Sequence, residues 1–402
     1  MNPTYHNLPE TFCQAIFDLF DEAEALGIDP EVLQALIFVP LVADHFAEAQ
    51  HLVGQRLDTL RHACEKNAVR LVRLLSQISL RLFVDLLSRF RSASVPWQVT
   101  RWRMVLCGDD SLLVHAEESN QPGIVNIFST LYKTYRKAHD LIVLGVTVGS
   151  KEGQFFFPLW VELWRQPSLR KQTRPQRMAA ALRRLNHSLG ELGYSLEGID
   201  FVADNGYLSP TVAQAVNECG LVFTTRLKSS QTVTLLSGED IKMSDLRQQL
   251  MQQPVRYDPR AGRQAYYWRC EAIHPYLGKG TVVIQRRKLR SGGFEYHCHF
   301  SQHHNAKAIT VLQLSKRRWP IEVFFRESKQ HLSLGHLPFR KWSAFIGHIA
   351  CRGLVYFLLA KVRRHLRWRK QDKTIGALKR RFMETLVAIF RSLFPLTPQW
   401  DA

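Results

Sequence analysis

Four acids in this chain have neighbours that suit chemistry. Asp109 and Asp110 close the apolar run WRMVLCGDD, Asp204 closes IDFVAD, and Glu322 stands among basic residues in RRWPIEVFFRESK. Carboxylate oxygens are the hard ligands that Mg2+ prefers. Two such ions about 3.5–4 Å apart bind the attacking and leaving oxygens of an in-line displacement at phosphorus. Attack on a phosphodiester therefore needs a few carboxylates brought to one point, and the strand ends of an α/β sheet supply such points. Taken singly, each acid has a plainer explanation. Asp at a strand end is a common cap or turn residue, and Glu322 with Arg326 and Lys329 has the spacing of a salt-bridged surface helix.

The elements that must carry these acids are signalled locally. Around Glu322, Pro320 suits a first helical turn, where a missing N–H costs nothing. Ile321, Phe324, Phe325 and Leu332 offer that helix an apolar side. WRMVLCGDD reads as a strand ending in its two acids. LIVLGVTVG and QFFFPLWVELW read as a hairpin across GSKEG, and PQRMAAALRRLNHSLGELG reads as a helix. IDFVADNGY is a strand with Asp204 at its end. SPTVAQAVNECG is a helix with Ser209 as N-cap, Pro210 in the first turn and Gly220 past the end. LVFTTRLK is another strand. This order gives a mixed α/β sheet with helical cover. YYWRCEAIHPY, GTVVIQRRK and FEYHCHFSQ then read as strands that interrupt it, and helical patterns fill residues 1–95 and the chain beyond 305.

Composition narrows the partner. The 402 residues carry 54 Lys and Arg against 35 Asp and Glu, a net charge of +19, which favours a polyanion. Arg70, Arg73, Arg81, Arg89 and Arg91 give one N-terminal helix a basic side, and KVRRHLRWRKQDKTIGALKRR is a dense basic tract suited to phosphates. VLQALIFVPLVA and GLVYFLLA are too short and too closely flanked by charge for membrane spans, and read as buried helices. With no signal-peptide pattern at residue 1, and seven scattered cysteines without a C-x-x-C pair, the expectation is a cytoplasmic protein with reduced thiols and no membrane partner. His297, Cys298, His299, His303 and His304 are expected to be strand and loop residues, because alternation splits them between two faces.

Arg318, Glu322 and Lys329 fall at R-x3-E-x6-K. This resembles the Y-x2-R-x3-E-x6-K signature of bacterial insertion-sequence transposases of the cut-and-paste DDE type, the insertion-sequence-four-like branch. RRWPIEVFFRESKQHLSLG is similar to that family's RW-x-IE-x2-F-R-x2-K segment. ADNGY resembles the segment with the second catalytic Asp, GDDS the first, and TTRLK the strand ending in a phosphate-contacting Arg. The resemblance implies an RNase H-like core over 96–228 and 305–345, interrupted by a β-rich insertion over 229–304. Helical regions over 1–95 and 346–402 would flank it and bind DNA. Asp110, Asp204 and Glu322 would be the catalytic acids on two Mg2+ or Mn2+ ions, with Asp109 the alternative to Asp110. Arg318, Lys329 and Arg226 would hold DNA phosphates, with Arg326 on the same helix face. Trp319 would stack on a base or pack beside the site, unless it joins the core. Ser315 replaces the signature's Tyr, with a hydroxyl of shorter reach. The implied function is metal-dependent cleavage of double-stranded DNA at terminal inverted repeats and strand transfer into target DNA, by a homodimer assembled on DNA at the nucleoid. An RNase H-like nuclease or resolvase without strand transfer, and a non-enzymatic DNA-binding protein, are the alternatives.

Overall fold

The computed structural model describes residues 10–42, 57–92, 103–116, 119, 121–129, 132–150, 153–164, 172–258, 266–289, 291–335, 341–365 and 375–376. Four helices come first: α1 (Glu10–Ala25), α2 (Pro30–Val42), α3 (Leu57–Lys66) and α4 (Ala68–Ser92). Then follow β1 (Arg103–Val114), β2 (Val125–Ser129), β3 (Thr134–Ser150), β4 (Gly153–Trp164), α5 (Arg174–Gly190), β5 (Asp200–Ala203), α6 (Pro210–Glu218) and β6 (Val222–Leu227). Next are β7 (Thr232–Leu235), β8 (Asp240–Lys242), α7 (Met243–Met251), β9 (Arg256–Tyr257), β10 (Tyr266–His274), β11 (Gly278–Lys288) and β12 (Phe294–Ser301). Helices α8 (Ala308–Lys316), α9 (Trp319–His331) and α10 (Trp342–His365) complete the described elements.

All twelve strands form one mixed sheet. Along its first half the order is β4, β3, β1, β5, β6, with β2 sharing the outer side of β3. β1 runs antiparallel to β3 and parallel to β5, and β5 runs parallel to β6. From Leu141 to Val148, β3 is apolar almost without break, and Leu141, Ile142, Val143, Leu144, Val146 and Val148 are all buried. A continuous apolar run is what a strand covered on both faces requires.

The hairpin expected across GSKEG is β3–β4, longer at both ends. Helix α6 begins as expected: the Ser209 hydroxyl accepts from the Val212 N–H at 3.3 Å, Pro210 opens the first turn, and Gly220 adopts φ +66. One expectation is corrected. β1 does not end at Asp109 and Asp110 but runs on to Val114, because Leu112, Leu113 and Val114 pair with Asp140, His139 and Ala138 of β3. The strands after residue 229, read as interrupting the α/β order, continue the same sheet. β12 pairs antiparallel with β6, and β11 and β10 extend the ladder.

GLVYFLLA lies within α10, which is long and apolar enough to span a membrane by length and composition. Of its apolar stretch, 89% is buried inside the protein. α10 packs on α3, α4 and β4. On α4, Arg70 donates to the Gly27 carbonyl at 2.8 Å, Arg81 pairs with Glu22, and Arg89 pairs with Asp85. Arg70 and Arg81 thus tie α4 to α1 and its following turn, while Arg89 pairs within its own helix. The later part of the basic tract, with the second apolar segment TLVAIFRSLF, lies outside the described residues.

Glycine inside α10 sets how closely it packs. A Cβ at Gly347 would stand 2.1 Å from the Cys64 carbonyl oxygen, a backbone atom of α3. Helix propensity alone would make Gly347→Ala stabilising by about 1 kcal/mol. The close backbone approach reverses the sign. Gly347→Ala is expected to destabilise by about 1–3 kcal/mol, read as a lowered midpoint in guanidinium unfolding.

Candidate active site

Successive residues of a strand point to opposite faces. Asp109 and Asp110 are therefore separated, and each has its own arginine. The Asp109 carboxylate accepts from Arg318, and the same guanidinium donates to Glu322. Asp110 lies on the other face. It accepts from the Tyr207 hydroxyl at 2.9 Å and stands 3.9 Å from Arg174.

Asp204 reaches the first face through register. β5 pairs with β1 from Val105↔Asp200 to Gly108↔Ala203, so the next residue along each strand is Asp204 and Asp109. Asp204 is close enough to act electrostatically on both Asp109 and Arg318. Burial pushes the Asp109 carboxyl up to about 7, against the pull of Arg318, and the charge of Asp110 adds to the rise.

Helix α9 delivers Arg318 and Glu322, and its start is anchored to the sheet. The Cys107 thiol donates to the Arg317 carbonyl at 3.4 Å, and Arg317 donates to the Gly149 carbonyl at 2.6 Å. Phe324 packs on Phe156 of β4 and on Tyr356 of α10, with ring centroids 5.3 and 4.7 Å apart. At the far end, the Lys329 ammonium donates to the Ser111 hydroxyl at 2.8 Å and to the Leu112 carbonyl at 2.7 Å. Lys329, expected to hold a phosphate, is bonded to β1 in this arrangement. Its ammonium ties α9 to β1, and burial lowers its pKa.

Of the other expected contacts, Arg226 and Arg326 are exposed. Trp319 is 56% exposed, so it is not a core residue. The Ser315 hydroxyl is 2.8 Å from Nδ1 of His299 on β12. His299 is buried, which lowers its pKa to about 3 and keeps it neutral, with Arg226 adding to the effect. Its Nε2 has no hydrogen-bond partner.

Arg174, Asp140 and Tyr207 are not singled out by the sequence reading. Arg174 opens α5, where the helix dipole disfavours a base, and that misplaced charge is the available signal. It pairs with Asp140, a fully buried carboxylate that burial pushes up to about 7. Tyr207 ends the 3-10 turn that follows Asp204, so its bond to Asp110 ties that turn to β1.

Three carboxylates are a fitting donor set for a hard divalent cation. As arranged, among the described residues no three His, Cys, Asp or Glu side chains are grouped closely enough to hold one. Arg318 stands between Asp109 and Glu322 and must leave before both can ligate an ion.

Residues 154–358, just over half of the chain, match the family model of the transposase DDE domain. The chain belongs to this family. The match begins in β4 and ends in α10, so it takes in Asp204 and Glu322 and leaves β1 outside. Among curated proteins none matches the chain. Membership of the transposase DDE domain family makes DNA the partner and nucleic-acid cleavage the class of reaction, and such domains typically use divalent metal ions.

The raised pKa of Asp109 has a consequence for this DDE domain without metal. A carboxyl whose folded pKa lies above its unfolded value loses stability as pH rises from about 4 to about 7. Asp109→Asn removes that loss. Its melting temperature without metal is expected to match wild type near pH 4 and to exceed it increasingly up to pH 7, with a plateau on the order of 4 kcal/mol beyond. Thermal melts in a chelating buffer from pH 4 to 8.5 measure the difference.

Proposed function

We propose that this chain is an insertion-sequence transposase of the insertion-sequence-four-like branch, which cuts DNA at transposon ends and joins those ends to target DNA. The observation that carries the reading is the Arg318 guanidinium, bonded to both Asp109 and Glu322 with Asp204 in electrostatic range. The strand order β4, β3, β1, β5, β6, parallel only at β1/β5 and β5/β6, supports an RNase H-like core.

The acids are assigned as Asp109, Asp204 and Glu322, with Asp109 taking the place expected for Asp110. These three would hold two Mg2+ or Mn2+ ions, which when bound would supply activation of the attacking oxygen and neutralisation of the leaving one. Asp110 acts indirectly, through Tyr207 and the turn that carries Asp204. Arg318 has two states in this reading. Without metal it neutralises the acids, and with the acids occupied its guanidinium turns to a DNA phosphate, for which its planar fork is suited. Trp319 and Arg326, exposed on the same helix, extend that surface. A dimer assembled on two terminal inverted repeats, in the cytoplasm at the nucleoid, completes the proposal.

Strand transfer with Mg2+ tests it. Asp109→Asn, Asp204→Ala and Glu322→Ala are expected to fall to background while DNA binding is kept. Asp110→Asn, whose amide oxygen still accepts from Tyr207, is expected to lose about tenfold or less, as for a residue behind the ligands. Full activity in Glu322→Ala would overturn the site. Cleavage without joining would make the chain a nuclease, and DNA binding with neither would make it a binding protein.

A further inference from the structure

The hairpin of β2 and β3 carries residues for which the proposed active site has no use. Phe128 and Tyr135 face each other across its two strands, with ring centroids 5.6 Å apart, and are 47% and 65% exposed. Tyr132, in the turn, is 51% exposed, and the Arg136 guanidinium lies 5.2 Å from its ring centroid. Lys133, exposed beside it, adopts φ 55. No acid occurs between Glu118 and Asp140. The Phe128–Tyr135 pair and the Arg136–Tyr132 contact stabilise the hairpin by about 1 kcal/mol at most each, and the exposed area of three rings is not explained by that packing.

Register relates this patch to the acids. Val143 of β3 pairs with Asp109. Alternation then puts Tyr135 and Lys137 on the same face of β3 as Val143, and hence on the face of Asp109, and puts Arg136, with the Tyr132 ring against it, on the other, so the hairpin tip offers both faces. Eight residues separate Val143 from Tyr135, which is about 26 Å of strand. That distance corresponds to about eight base pairs of a DNA duplex.

We infer that the β2–β3 hairpin is a second DNA contact, gripping the duplex about eight base pairs from the bond cut at Asp109. Lys133 and Arg136 take phosphates, and the rings of Tyr132 and Tyr135 pack on deoxyribose or on an unstacked base. Three bases, Lys133, Arg136 and Lys137, with no acid between Glu118 and Asp140, complement a polyanion, and this charge favours DNA over a protein partner. The inference rests on the transposase reading, whose substrate it extends.

Fluorescence anisotropy of the full chain with a 30-base-pair duplex and with a 30-residue oligo-dT is the test. All the substituted positions are exposed, and circular dichroism melts check folding. Tyr132→Ala/Tyr135→Ala is expected to weaken binding about tenfold or more. A larger loss on oligo-dT assigns the rings to unstacked bases, and a larger loss on duplex assigns them to sugars. Lys133→Asn, which suits φ 55, is expected to reduce the salt slope by about one. Wild-type affinity in both variants would overturn the inference while leaving the transposase reading intact. So would a changed oligomeric state with DNA binding unaltered, which would give the patch to a protein. If wild type binds neither probe, the transposase reading itself falls.

Discussion

Assembling carboxylates is an electrostatic problem, and the guanidinium of Arg318 is this protein's answer to it. Two like charges 4 Å apart repel by about 4 kcal/mol where the effective dielectric constant is about 20. Arg318 lies between Asp109 and Glu322, with Asp204 in range, and offers them one planar cation. The surrounding structure can be read as what holds that cation in place. Arg318 occupies the N-cap position of α9, its side chain turned to the acids. The start of α9 is fixed by Cys107 and by the bond from Arg317 to Gly149, and its body by Phe324 against β4 and α10. α10 in turn lies close against α3 at Gly347, which draws the helical region before β1 into support of the site.

The adjacent acids of GDD impose a second arrangement on the opposite face. One strand cannot turn both toward Arg318, so Asp110 needs separate neutralisation, and Arg174 on α5 supplies it while also pairing with Asp140. Tyr207 makes that second network relevant to the first. It bonds Asp110 from the turn that follows Asp204, so the position of Asp204 on one face is referred to a hydrogen bond on the other. The strands after residue 229 enter through β12, where His299 meets Ser315 on α8, three residues before Arg318.

What the sequence discloses and what it hides divide along the range of the interactions. Ser209, Pro210 and Gly220 act on their own helix, and α6 begins and ends as they predict. The apolar runs of β3 and β4 were equally local signals. The length of β1 was not, because SLLV carries no strand signal as strong as its pairing with β3. Lys329 shows the same limit. Its helical face is readable, yet its partners Ser111 and Leu112 lie more than 200 residues away, and only the fold shows that the ammonium is internal. Strand alternation was available for Asp109 and Asp110, but choosing between them required the position of Arg318.

Ser315 shows how such long-range contacts alter the meaning of a motif. In the signature it resembles, this position carries a Tyr ring. Here the Ser hydroxyl is bonded to a buried, neutral histidine. That bond makes Ser315 part of the joint between β12 and α8. Four residues on, at the start of the next helix, Trp319 presents a ring that is more than half exposed, next to Arg318. An aromatic surface therefore stands beside the guanidinium although the signature's Tyr is absent. The departure at Ser315 is a local rearrangement, and the acids that Arg318 gathers are untouched by it.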